Sequence, residues 1–387
     1  MLNFNLHSGF SFNIYLLSLN STKVNITTNN TDELNAIISI ELKKEDYLPK
    51  VEKALNTAKN NAVIKGFRKG HVPAGVIKKM YGNSILLDEL NKTVSEALNK
   101  HIEEAKLNML GRPLPKPSAS LDIDINNPID FTFEYEIGLA PEVKVTAVDK
   151  TTSVAKNVIT IDDKTLEEEL EKLTQRYGNV TNPEEVKEGK ESVIEKAELN
   201  QELFDKIYGP GIVNSLEEFK DKLRKELQDF ADKSAANKFK DDIYLALMEK
   251  TDVKFPDAFL KKFIKASNEN PIDEEQIEQE YPQFEKGLKW NLITSTIAKD
   301  NAIKVEFEDV KNFSKDQLRA QFMMYGGGIT DEMIETFNDN MMAKEDHVKK
   351  SYDGALEQKL FTFIESQINV EEKSATFDEF FNKKTDV

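Results

Sequence analysis

The segment SLEEFKDKLRKELQDFADKSAANKFKDDIYLALMEK (215–250) places apolar residues at Leu216, Phe219, Leu223, Leu227 and Phe230. Steps of three and four bring them onto one stripe of an α-helix. The stretch therefore reads as helical. FPDAFLKKFIKASN, EKGLKWNLITSTIAKDN and YDGALEQKLFTFIESQI carry the same period, and nearly everything from about Ala197 onward reads as helix. No repeat length emerges, so separate helical hairpins are expected rather than a solenoid.

The first 140 residues follow another rule. KVNITTN and ELNAIISIEL alternate with period two and read as strands. Leu48, Val51, Leu55 and Ala58 give 44–62 a helical face. AGVIKKMYG reads as a short helix that Pro73 suits as a first-turn residue, and 84–108 as a separate long one. GRPLPKPS, with three prolines, is not helical. SLDIDI and IDFTFEYEIG alternate again. Strands, helices and strands in that order argue for an α+β domain over 23–138. LAPEVKVTAVDKTTSVAKNVIT reads as a connecting strand, 162–178 as a charged helix, and NPEEVKEGKES as a polar linker. The expected division is an extension at 1–22, the α+β domain, a linker at 139–196 and a helical region at 197–387. The fold class is α+β, followed by an elongated, mostly α-helical part with arm-like hairpins.

Charge separates the two parts. The chain of 387 residues carries a net charge of −17, yet residues 1–150 hold 18 Lys/Arg and 18 Asp/Glu. The whole excess of acid therefore lies beyond them. Residues 53–87 hold seven cations and no acid. Their local field is positive whatever the global charge, which points to an anionic partner for one loop. A broad basic nucleic-acid footprint is not present. There is no cysteine, so disulfides and thiolate metal sites are excluded. The apolar run Phe10 to Leu19 is too short to span a bilayer and lacks a basic flank, so it is a poor signal peptide.

Catalytic signatures are missing. His7, His71, His101 and His347 are never four residues apart, and no HExxH, GxSxG, P-loop or GxGxxG after a strand occurs. YGGGITDE (325–332) precedes a helix and has the glycines to cradle a phosphate; a turn between helices is the plainer reading, since no Lys-Ser/Thr follows. The acids at 167–169 read as a solvated helix face. No cofactor and no metal are expected.

Two other features stand out. In Gly66-Phe67-Arg68-Lys69-Gly70 an aromatic and two cations lie between glycines. The stretch is either an ordinary helix–helix turn or an interface anchor, since aromatic and Arg side chains dominate binding hot spots. Met323, Met324, Met333, Met341 and Met342 are five of the nine methionines. They are either helix core or a soft surface for varied partners.

GFRKGHVP (66–73) resembles the ribosome-docking signature of the trigger factor family, Gly-Phe-Arg-x-Gly-Lys-x-Pro, with His71 in place of Lys. LAPEV (139–143), RYGNVTNPE and AELNQELFDKIYG (197–209) resemble family sequences around its linker and isomerase module. The resemblance spans roughly 23–387. It implies an ATP-independent, cytoplasmic chaperone that docks at the ribosomal exit tunnel through Gly66, Phe67, Arg68, Lys69, Gly70, His71 and Pro73. Nascent or unfolded polypeptides would be its clients, and free molecules would pair as homodimers; no membrane is involved. The five methionines are candidate client contacts. An FKBP-like prolyl-isomerase domain normally stands between linker helix and C-terminal arms; here some twenty residues cross that gap, too few for a domain with its own core. A prolyl isomerase and a ribosome-independent, periplasmic-type holdase are the rival readings.

Overall fold

The computed structural model describes residues 24–117, 123–181, 193–268, 270–324 and 330–381. Contacts divide the chain into two units, Met1–Glu142 with Val253–Leu288, and Val143–Asp252 with Lys289–Val387. Most of the described residues are helical.

In the first unit β1 (Asn25–Asn30), β2 (Asn35–Leu42), β3 (Met109–Pro115) and β4 (Phe131–Leu139) form an antiparallel sheet in the order β1-β2-β4-β3. Alternation along β2 turns Ala36, Ile38, Ile40 and Leu42 to one face, where all are buried. Helices α1 (Lys44–Asn61) and α2 (Ala74–Glu104) cover that face with Tyr47 and Val51 and with Leu86, Leu90, Val94 and Leu98. Each such side chain contributes about 1.5–3 kcal/mol when fully buried. Tyr47 is also tied by its hydroxyl, which donates to the Ile129 carbonyl at 2.7 Å.

The residue pattern predicts two helices over 74–108; there is one, unbroken at Gly82. Gly82 is buried, and a Cβ on it would lie 2.8 Å from Ile125. The Asn83 side chain accepts from the Ile125 amide at 3.0 Å. The Gly-Asn pair is therefore a notch for the 123–127 segment, and helical hydrogen bonding runs through it. SLDIDI was expected to be a strand, but its described residues 123–125 are not. Asp124 instead accepts from the Asn126 amide at 2.9 Å, a turn that its short carboxylate favours.

Helix α6 (Asp257–Ser267) in the first unit lies on β3 and β4. Arg112 donates to the Ala266 carbonyl at 2.8 Å, and Lys262 pairs with Glu136 at 2.7 Å. Gly138 admits the Phe259 ring: a Cβ there would stand 2.4 Å from Phe259 Cδ1. Helix α7 (Glu274–Asp300) belongs to the first unit up to Leu288 and to the second beyond it.

The second unit is mostly helical. Its elements are β5 (Ser153–Thr160), α3 (Asp163–Arg176), β6 (Asn179–Thr181), β7 (Val193–Glu195), α4 (Gln201–Tyr208), α5 (Leu216–Lys250), α8 (Phe307–Met324), α9 (Asp331–Met342), α10 (Glu345–Gln367), β8 (Asn369–Thr376) and α11 (Phe377–Phe381). The connecting strand expected over 139–160 begins only at Ser153, because Asp149 bends the chain by accepting from the Thr151 amide at 2.8 Å. β8 was not foreseen; it pairs in parallel with β5, Ser153 opposite Asn369. Helix α3 packs Leu166 and Leu170 against Phe204 and Phe219, so it is built into this unit's core. β6 pairs with β7 through three residues on each side, Asn179 opposite Glu195. A second core joins Phe239, Ile243 and Leu247 of α5 to Ile293 and Ile297 of α7 and to Leu360 and Ile364 of α10.

Candidate functional site: a basic loop and a methionine-bearing hairpin

The loop between α1 and α2 consists of two consecutive β-turns. The Phe67 amide donates to the Ile64 carbonyl at 3.0 Å, and the His71 amide to the Arg68 carbonyl at 2.9 Å. The third residue of each turn is a glycine at positive φ, Gly66 at +95° and Gly70 at +82°. That is the signature of a type II turn, and it explains the four-residue spacing of the glycines. Phe67 ends the first turn and Arg68 opens the second, so the motif's aromatic and first cation occupy the junction. Phe67 is 41% exposed, and Arg68, Lys69, His71 and Pro73 are all exposed. Val72, fully buried, anchors the loop to the unit.

Electrostatics favour an anion here. Lys53, Lys59, Lys65, Arg68, Lys69, Lys78 and Lys79 make no ion pair among the described residues; the pairs nearest in sequence are Lys50–Glu96 and Lys100–Glu104. The first turn of α2 carries no acid, so the positive end of its dipole adds to the same field. Four exposed apolar residues flank the motif and escaped sequence reasoning: Val63, Met80, Tyr81 and Leu87. Their signal was the acid-free stretch itself, which contains them all.

The methionines lie on the α8–α9 hairpin and its exit. Met323 is 74% and Met333 48% exposed, whereas Met341 and Met342 are half-buried. The side chain of Met324 and residues 325–329 lie outside the described residues. Phe307 and Phe337, also exposed, were not singled out from sequence. An open groove of about 490 Å³ between α8 and α10 is lined by Phe313, Phe363, Asp309, Asp316 and Lys359, and by none of these methionines.

The remaining described histidines have structural partners: His101 meets the Thr28 hydroxyl at 2.8 Å, and His347 meets that of Ser314 at 2.7 Å. Among the described residues no three His, Asp or Glu side chains converge as metal ligands.

Two family models match the chain. "Bacterial trigger factor protein (TF)" covers residues 24–173, and "Probable trigger factor, C-terminal domain" covers residues 235–384. The chain belongs to the trigger factor family. The trigger factor of Sulfurimonas denitrificans is 30% identical over 184 residues, 46% of this chain and 42% of that protein. That of Lachnoclostridium phytofermentans is 31% identical over 141 residues, 36% of this chain and 31% of that protein. In both matches the chain spans less than half of the relative's length. The trigger factor of Chlorobaculum tepidum aligns more widely, at 22% identity over 434 positions, covering 89% of this chain and 97% of that protein. An alignment of 434 positions exceeds the 387 residues of this chain, so it opens gaps in it. The family's middle prolyl-isomerase domain is not detected. A solved structure described as "Promiscuous Substrate Recognition in Folding and Assembly Activities of the Trigger Factor Chaperone" matches with a TM-score of 0.50 at 15% identity. The match covers 88% of this chain and 99% of that one, and it is a likeness of fold.

Proposed function

We propose that this trigger factor relative is an ATP-independent, cytoplasmic chaperone. It docks on the ribosome through the 66–73 loop and shields nascent or unfolded chains with its helical second unit. The observation that carries the docking half is the double turn: it presents Phe67 and unpaired cations from a domain that matches the trigger factor N-terminal model. Arg68 and Lys69 would make charge-assisted bonds to phosphate or carboxylate, and Phe67 would supply apolar area. The exposed Met323, Met333 and Phe337 support client binding on a surface rather than in a pocket. No helix among the described residues is long and apolar enough to cross a membrane.

The test is cosedimentation with bacterial ribosomes. Phe67→Ala, Arg68→Ala and Lys69→Ala together are expected to abolish pelleting with the thermal midpoint nearly unchanged. Exposed substitutions usually cost within about 0.5 kcal/mol of stability, whereas interface anchors cost about 2 kcal/mol or more each. A combined loss of about 4 kcal/mol lowers affinity roughly a thousandfold. A triple variant that pellets like wild type would remove the loop from the function. In a separate arm, Met323→Ser with Met333→Ser is expected to weaken suppression of client aggregation without loss of helicity.

A further inference from the structure

Helices α8 and α9 are joined by three ion pairs in antiparallel register. Lys311 meets Asp339 at 3.3 Å, Lys315 meets Glu335 at 2.6 Å, and Arg319 meets Asp331 at 2.9 Å. The cations advance by four along α8 while the acids retreat by four along α9, so all three rungs share one seam. The hydrogen bonds that Lys315 donates to Glu335 and Arg319 donates to Asp331 hold both pKa values above their ordinary ones.

Beneath the seam the packing is half polar. Val310 and Ile334 are buried together with Ser314, Asn338 and Ser351. The Asn338 amide donates to the Lys311 carbonyl at 3.3 Å, but its buried Oδ1 has no hydrogen-bond partner. Among the described side chains of α9, Ile334 is the one buried apolar residue. By contrast α5 buries Phe219, Leu223, Phe239, Ile243 and Leu247. A helix of twelve residues is marginal without packing. Apolar burial is thus weak where the ionic seam is complete.

We propose that α9 is a latched flap. It opens away from α8 and α10 while the rest of the unit stays folded, and the ion ladder sets how often it does so. Opening uncovers Val310 and Ile334 beside the already exposed Met333 and Phe337, which enlarges the apolar surface of the hairpin. The flap is independent of ribosome docking and of any client, and its test uses neither.

Hydrogen exchange of the full chain, followed by mass spectrometry, reads the flap directly. In 1 M NaCl the screening length falls to about 3 Å. Amides of residues 331–342 are expected to exchange roughly tenfold faster than at 50 mM, as three partly exposed pairs acting together allow. Amides of 216–250 should not change. Lys311→Gln, Lys315→Gln and Arg319→Gln combined should reproduce the effect at low salt. Lys315→Glu should lose protection, and adding Glu335→Lys should restore it. The proposal is overturned if 331–342 exchanges no faster than 216–250, if salt leaves its rate unchanged, or if the swapped pair stays as unprotected as Lys315→Glu alone. Should the triple variant fail to fold, the salt series on the wild-type chain decides.

Discussion

Two glycines separate conformation from space. Gly66 needs its positive φ, yet no atom lies within 4 Å of where a Cβ would stand. Gly138 is crowded by Phe259 instead. In Gly66→Ala the exposed turn should relax rather than carry the strain, about 1–2 kcal/mol. The thermal midpoint should hardly move, while ribosome pelleting falls because the turn that presents Phe67 is lost. In Gly138→Ala overpacking of about 1–3 kcal/mol should lower the midpoint and leave pelleting intact at low temperature. Equal loss of stability in the two variants would show the loop to be part of the fold's framework. The loop was legible in sequence because its determinants are contiguous: two glycines four apart with an aromatic and two cations between or beside them. Val63 and Met80 were not, since nothing local distinguishes an exposed apolar residue from a core one.

Elements were legible where a single period governs them. β2 alternates, α1 and α5 repeat at helical steps, and each is found where that pattern places it. Failures came from partners distant in sequence. Gly82 looked like a break until Ile125 was seen beside it, and the charges of the α8–α9 ladder look like ordinary solvated faces until the hairpin brings them together. At the start of α3 the Asp162 side chain accepts from the Thr165 amide at 2.8 Å, a local cap. Hydrogen bonds from the Thr165 side chain and backbone hold the Asp162 carboxyl below its ordinary value of 3.8. Its contribution to α3 is therefore complete above that value and is lost as pH falls through the lower folded one. Asp162→Asn keeps a capping oxygen without a charge. Exchange protection at the start of α3 should be level above about pH 4 and fall as the pH drops below that in wild type, and it should stay level in Asp162→Asn; parallel acid profiles would refute the assignment.

On the scale of the whole molecule, two units with cores of their own imply two stabilities. Ile38 is fully buried in the sheet core of the first unit. The single tryptophan, Trp290, packs edge-on against Tyr244 and at a tilt against Phe361 in the second. Ile38→Ala should cost about 2–5 kcal/mol. Urea unfolding followed by far-UV circular dichroism should then split, its early phase moving to lower urea, while the Trp290 fluorescence midpoint holds. A joint shift of both probes would make the two units one cooperative body. The return of residues 253–288 to the first unit is a property of this scale, and nothing in FPDAFLKKFIKASN announces it. Helical period tells a segment to pack but not against what. The β6–β7 pairing has the same character: Asn179 and Glu195 face each other across residues that join α3 to α4 in relatively few steps. No acceleration of a proline-limited refolding phase is expected from this chain, and uncatalysed isomerisation takes roughly tens to hundreds of seconds, slow enough for any catalysis to be plain.

The parallel pairing of β5 with β8 has a consequence in time. Its register joins Ser153 to Asn369, so among the described residues β5 has no strand partner until the far end of the chain has been made. Synthesis at about 5–20 residues per second places that moment roughly ten to forty seconds after β5 itself is complete. Helices form in about a microsecond, so everything local is long settled by then. For that interval the growing chain offers an unpaired strand edge to its surroundings. A protein proposed to guard unfinished polypeptides is, during its own birth, one of the polypeptides that needs guarding.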